Sequence, residues 1–190
     1  MRVVVGTKNA HKVLELQRIL EPLIPGLILE PSPEDSPVED GETFEANALI
    51  KARSAFHATG RPAIADDSGL EVTALDGRPG IFSARYASSG VDADNTARVL
   101  DEMKGVRDRR AAFVCAAALV HEGGDMAIQK RWEGSLAEHP AGSGGFGYDP
   151  VFIPQGHTVT AAELQADQKD ELSHRGQAFR ALAPHILALG

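Results

Sequence analysis

The chain has 190 residues, 43% hydrophobic and 24% charged, enough to bury a sizeable core and too apolar for a disordered chain. With 19 Lys and Arg against 27 Asp and Glu, the net charge of −8 excludes a general nucleic-acid backbone binder. It leaves room for a small anionic ligand held by a few local cations. The single cysteine, Cys115 in the apolar AAFVCAAALV, excludes an intrachain disulfide and a cysteine-rich zinc site. The apolar runs are about half the length of a membrane span, and the one in MRVVVGTKNAHK is too brief for a signal peptide. A cytoplasmic location, away from membranes, is the expectation.

Residues 2–6 (RVVVG) predict a short buried strand. A helix follows, with Val13, Leu16, Leu20 and Leu23 at helical spacing, and Pro22 and Pro25 end or kink it. Residues 27–30 predict a second strand, and 31–43 an acidic, proline-rich loop. Residues 43–57 predict a helix with Phe44, Ala48, Ala52 and Ala55 on one face and Asn47, Lys51 and Ser54 on another. Residues 62–75 (PAIADDSGLEVTAL) read as strand, polar turn and strand. A third helix is expected over 92–104, and paired strands over 111–120 and 126–133. The glycine-rich segment 141–150 (AGSGGFGYDP) precedes a short strand at 151–154. Thr160 and Glu163 form a capping box for a helix. Ser173 can cap the last helix, whose stripe is Phe179, Leu182, Ile186 and Leu189, and Pro184 within it predicts a kink or an early end. Early alternation of strands and helices followed by paired strands points to a mixed α/β (α+β) fold in a single domain, 1–190.

Five segments carry candidate chemistry. Thr7, Lys8, Asn9, Ala10, His11 and Lys12 lie between a strand and a helix, where unpaired backbone N–H groups and two ammonium groups suit a polyphosphate. They equally suit a helix capped by Thr7 or Asn9 with solvated lysines. Asp66 and Asp67, followed by Ser68 and Gly69, fit a hard-cation site, with the two carboxylates on opposite faces of a strand and one of them meeting the metal. An Asx turn between two strands is the competing reading. The acids Glu34, Asp35, Glu39, Asp40 and Glu42 form a run that is either solvated or supplies a second metal ligand. The run GSGGFG at 142–147 matches a dinucleotide-binding pattern in letters only. The following YDPVFIP does not open a helix, so a loop presenting Phe146, Tyr148 and Asp149 to a planar ligand is the better reading, with at least one ring in the core. Finally, Lys169, His174 and Arg175 place donors near the start of the last helix, for a carbonyl oxygen, a phosphate or solvent.

In chain order, TKNAHK, FEANALIKA, PAIADDSGLEV, PGIFSARY, GGFGYDPVF, TAAEL and SHRG resemble the inosine triphosphate pyrophosphatases over about residues 3–180. The resemblance implies hydrolysis of ITP, dITP and XTP to the nucleoside monophosphate and pyrophosphate, with Mg²⁺. It further implies a mixed sheet in two lobes flanked by helices around a central active-site cleft, and a homodimer. Carried over by position, Thr7, Lys8, Asn9, Ala10, His11 and Lys12 bind the triphosphate and Lys51 adds a cation. Asp67 is the catalytic acid or base and a metal ligand, and Ser68 touches substrate. Phe146, Gly147, Tyr148 and Asp149 hold the base, and Lys169, His174 and Arg175 line the pocket, the last two at the oxo edge. The family has a metal-binding glutamate in the acidic loop. Alignment on Gly41-Glu42-Thr43-Phe44 favours Glu39, with Asp40 and Glu42 adjacent. The expected partners are purine nucleoside triphosphates, not nucleic acid. The alternatives are a pyrophosphatase for other modified nucleotides and a non-enzymatic purine-nucleotide sensor.

Overall fold

The computed structural model describes residues 1–190. Its strands are β1 (Arg2–Val5), β2 (Ile28–Pro31), β3 (Ala63–Val72), β4 (Arg110–His121), β5 (Gly124–Leu136) and β6 (Phe152–Pro154). They form one sheet in the order β2-β1-β3-β4-β5-β6. β1 is parallel to both neighbours, with Val3 opposite Leu29 and Val4 opposite Ala63. A strand with parallel partners on both sides is buried on both faces, which explains its unbroken valine run, fully buried at Val3, Val4 and Val5. β4 and β5 are neighbours across a two-residue connection, and β5 pairs antiparallel with β6. The fold is therefore mixed α/β, as the element pattern predicts.

The helices are α1 (Ala10–Leu20), α2 (Phe44–Thr59), α3 (Asp92–Glu102), α4 (Ala166–Leu172) and α5 (His174–Leu187). The Thr43 hydroxyl opens α2 by accepting the Ala46 N–H at 3.1 Å, and Gly60 ends it in the left-handed conformation. No helix is long and apolar enough to cross a membrane.

Two compact units share this chain. The first comprises 1–67, 115–130 and 174–190, and the second 68–114 and 131–173. Each has its own core. In the first, Val3, Leu16, Leu20, Ile64, Leu119 and Phe179 pack together. In the second, Phe113, Trp132 and Phe152 form an aromatic group, with Phe113 and Phe152 centroids 4.5 Å apart, joined by Leu70, Val99 and Tyr148.

Four local expectations are corrected. The predicted polar turn at Asp66–Asp67 is absent, and β3 runs unbroken through it. Sheet pairing supplies the backbone partners that a turn would supply, and the two carboxylates are met by basic side chains from elsewhere. The Thr160–Glu163 capping box forms, but it opens only the three-residue 3-10 turn Ala161–Glu163. Leu164 is extended, so α4 begins separately at Ala166. Pro184 does not end α5, which runs on to Leu187. Proline removes one donor, while its carbonyl still accepts the Ala188 N–H at 3.1 Å and the buried Leu182 and Ile186 hold the helix to the core. Leu23, expected on the stripe of α1, lies beyond the helix and is exposed.

Candidate active site

In the first unit, the sequence TKNAHK forms the entry to α1. Asn9 is its N-cap, and its side-chain oxygen accepts the N–H groups of His11 at 3.0 Å and Lys12 at 3.4 Å. The Thr7 hydroxyl accepts the Asn9 N–H at 3.2 Å. Of the two candidate caps, Asn9 is the one that caps the helix, and two of the amides at this helix start are already met. Ala10 and His11 are exposed, and Lys8 pairs with the exposed Asp35. Such a surface pair adds little stability. Lys12 differs, since its ammonium lies 3.1 Å from Asp66 Oδ2 on β3, a fully buried carboxylate.

One turn along α1, Glu15 is buried and pairs with Arg175 at the start of α5. Arg175 is 2% exposed, and its Nε and Nη2 donate to Asp66 Oδ2 at 3.3 and 3.1 Å. Lys12, Asp66, Arg175 and Glu15 therefore form one chain of opposite charges. Burial disfavours the guanidinium charge, but Asp66 and Glu15 more than offset this and hold its pKa above the usual value. His174 is buried beside it in sequence, at the first position of α5.

Strand alternation sends Asp67 to the opposite face from Asp66. There the Lys51 ammonium on α2 lies 2.9 Å from Asp67 Oδ1 and 2.9 Å from Glu39 Oε2. Asn47, one turn before Lys51, donates to Asp67 Oδ2 at 3.3 Å and accepts the Gly41 N–H at 2.9 Å. On the second face of α2, polar in sequence, Asn47 is 2% and Lys51 6% exposed, while Ser54 is half-buried. Gly6, which ends β1, permits this approach, because a Cβ there would sit 2.8 Å from the Lys51 carbonyl oxygen. Of the five acids of the loop, Glu39 is the one that meets the Lys51 ammonium.

The two ends of the Lys51–Asp67 pair respond differently. Burial works against the Lys51 charge, but Asp67, Asp66 and Glu39 outweigh it and raise the ammonium pKa. Burial pushes the Asp67 carboxyl above the ordinary aspartate value, Lys51 pulls it back, and the nearby negative charge of Glu39 adds to the rise. Two carboxylates converging on one cationic point make a donor set for a hard divalent ion, which takes one or two carboxylates together with waters and phosphate oxygens.

In the second unit, Ser68 is half-buried in β3, directly after Asp67. Asp149 organises the glycine-rich loop: its Oδ2 accepts the Phe146 N–H at 2.9 Å and lies 2.7 Å from the Lys169 ammonium on α4. Both charged side chains are nearly inaccessible. Lys169 Nζ also stands 5.2 Å from the centre of the Phe146 ring, a cation–π contact. Tyr148 is the core ring of the two aromatics: it is 5% exposed and its hydroxyl donates to the Ser83 carbonyl at 2.8 Å. The Phe146 residue is only half-buried.

Neither Glu15 nor Asn47 is among the site residues expected from sequence. A glutamate one helical turn before the buried Ile19 was the available signal for the first. The second was visible as a polar residue sharing a face with Lys51.

A Ham1 family model matches residues 3–185. The chain is 48% identical over 193 residues to a dITP/XTP pyrophosphatase of Leifsonia xyli, covering 100% of this chain and 97% of the relative. It is 47% identical over 196 residues to the dITP/XTP pyrophosphatase of Mycobacterium tuberculosis, covering 99% and 96%. Among solved structures, a HAM1 protein from Coxiella burnetii superposes with a TM-score of 0.87 at 39% identity, covering 98% of both chains. The nucleoside-triphosphatase, or dITP/XTP pyrophosphatase, of Mycobacterium abscessus gives 0.75 at 47% identity, covering 97% of this chain and 100% of that one. From its first strand to its last helix, this chain belongs to the Ham1 family.

Proposed function

We propose that this chain hydrolyses deaminated purine nucleoside triphosphates (ITP, dITP and XTP) to the nucleoside monophosphate and pyrophosphate, clearing them from the nucleotide pool. The observation that carries the reading is the Lys51 ammonium set 2.9 Å from both Glu39 and Asp67. Full-length relatives named dITP/XTP pyrophosphatases support the substrate class.

In this reading, water attacks the α-phosphorus, a new oxygen–phosphorus bond forms, and the bond to the bridging oxygen of the β-phosphate breaks. Asp67 accepts the proton from the attacking water, a task suited to a carboxyl whose pKa is raised above the ordinary aspartate range. Pyrophosphate leaves as one unit, and Lys12 and Lys51 offset the charge that grows on it. Thr7, Lys8, Asn9, Ala10 and His11 form the rest of the triphosphate-binding segment, and Ser68 contacts substrate. Glu39 and Asp67 would hold magnesium, which would neutralise phosphate charge and make a bound water more acidic.

At the base end, Phe146 stacks on the purine, Gly147 and Asp149 shape the loop, and Lys169 buttresses it. Tyr148 holds the loop to the core. His174 and Arg175 favour a 6-oxo group, because N–H donors oppose a 6-amino group. Arg175 is engaged with Glu15 and Asp66, so its part at the base is shared with fixing Asp66. Residues 1–190 act as a single pyrophosphatase domain, working as a cytoplasmic homodimer. The family resemblance supports the dimer and the metal.

The test is pyrophosphate release from ITP, XTP, GTP, ATP and dUTP, with and without Mg²⁺. Magnesium-dependent release from ITP and XTP well above ATP and dUTP is expected. A preference for dUTP or another modified pyrimidine overturns the substrate class, and binding of ITP without turnover leaves a sensor instead.

A further inference from the structure

The base loop is thinly backed. Residues 144–147 border a cavity of about 1110 Å³, which Asp92 and Thr96 of α3 also line. Where side-chain packing is missing, polar contacts must fix the backbone. Gly144 N–H donates to the Ala162 carbonyl at 3.0 Å, and Asp149 holds the Phe146 N–H. The next peptide is Gly147, which has φ +63°, a conformation glycine adopts without strain. Its N–H donates to Asp92 Oδ2 at 2.8 Å, and its carbonyl accepts the Thr96 hydroxyl at 3.5 Å. Asp92 and Thr96 are four residues apart and share a face of α3. One helix face therefore engages both the backbone N–H and the backbone carbonyl of Gly147, directly after the ring proposed to stack on the base.

We propose that Asp92 is a positioning residue, fixing the Gly147 peptide so that Phe146 is presented in a single orientation to the purine. The proposal rests on the reading of 146–149 as the base-holding loop. The bond from Asp92 is charge-assisted and short, whereas the Thr96 contact is long, so Asp92 carries most of the effect. The competing, merely structural role of an acid in the first turn of a helix is to favour the helix dipole. Asp94 lies in the same turn, is exposed, and its carboxylate has no bond to the loop, so it separates the two roles.

The experiment measures kcat and KM for ITP, and the inhibition constant of inorganic tripolyphosphate, which has no base. The variants are Asp92→Ala, Asp92→Asn, Asp94→Asn and Phe146→Ala. Asp92→Ala is expected to raise KM roughly tenfold, as loss of one hydrogen bond to a charged group does. Its kcat stays within about twofold, because presentation of the base and not the chemical step has changed. Asp92→Asn keeps an acceptor oxygen and recovers most of the loss. Asp94→Asn matches the parent, and the tripolyphosphate constant is the same in the parent and every Asp92 variant. An unchanged KM in Asp92→Ala, with Phe146→Ala impaired, overturns the positioning role alone. A parallel rise in the tripolyphosphate constant, or an equal effect of Asp94→Asn, overturns it in favour of a structural role. An unaltered KM in Phe146→Ala overturns the base-loop reading itself.

Discussion

The first unit sets its candidate residues with charge on regular elements, and the second sets them with backbone on a loop. In the first, Lys12, Lys51 and Arg175 face Glu15, Glu39, Asp66 and Asp67, and of these seven only Glu39 lies outside a helix or strand. In the second, one buried pair, Lys169–Asp149, anchors a run of glycines at whose tip the backbone N–H groups of Phe146 and Gly147 donate to Asp149 and Asp92. Buried charges need fixed partners, because an ion without one costs several kcal/mol in a dry interior. Helices and strands supply that fixity. A loop held through its backbone needs close approach instead, and glycine permits it.

The contrast can be broken first at its most expensive contact. Arg175→Ala leaves Glu15 and Asp66 buried without their cation and is expected to lower stability by about 3–5 kcal/mol. Arg175→Lys should recover part of this. Thermal unfolding of the two variants checks it, and a loss under about 1 kcal/mol would mean that the charge chain is relaxed by water. Next in size, Asp67→Asn should keep the fold and lower kcat by at least ~10²-fold, the usual effect of losing a general base. Near-normal turnover of a folded Asp67→Asn protein would move that role to Asp66.

Much of this arrangement was legible in the sequence because the relevant signals are local. RVVVG and the spacing of α2 predict β1 and the helix that carries Lys51, and the letters after GSGGFG exclude a dinucleotide site. The rest depends on contacts that no local window contains. Arg175 reaches Asp66 across 109 residues and Glu15 across 160. That distant pairing is why the polar DDSG stretch stays in a strand instead of turning. Asp92 read only as the first acid of a helix, since its bond to Gly147 spans 55 residues. Tyr148 and Phe146 looked equivalent, and only packing assigns the first to the core.

In the proposed reading, Lys12 engages the triphosphate and Phe146 the base. The most direct test is the affinity ratio of ITP to inosine monophosphate, measured by calorimetry in an Asp67→Asn background that suppresses turnover. Lys12→Ala should collapse that ratio by roughly tenfold or more, since in the proposed reading its ammonium meets phosphates that the monophosphate lacks. Phe146→Ala should weaken both ligands by the same factor, equivalent to about 1–3 kcal/mol of stacking, and leave the ratio unchanged. A ratio untouched by Lys12→Ala, or shifted by Phe146→Ala, would contradict the division of labour.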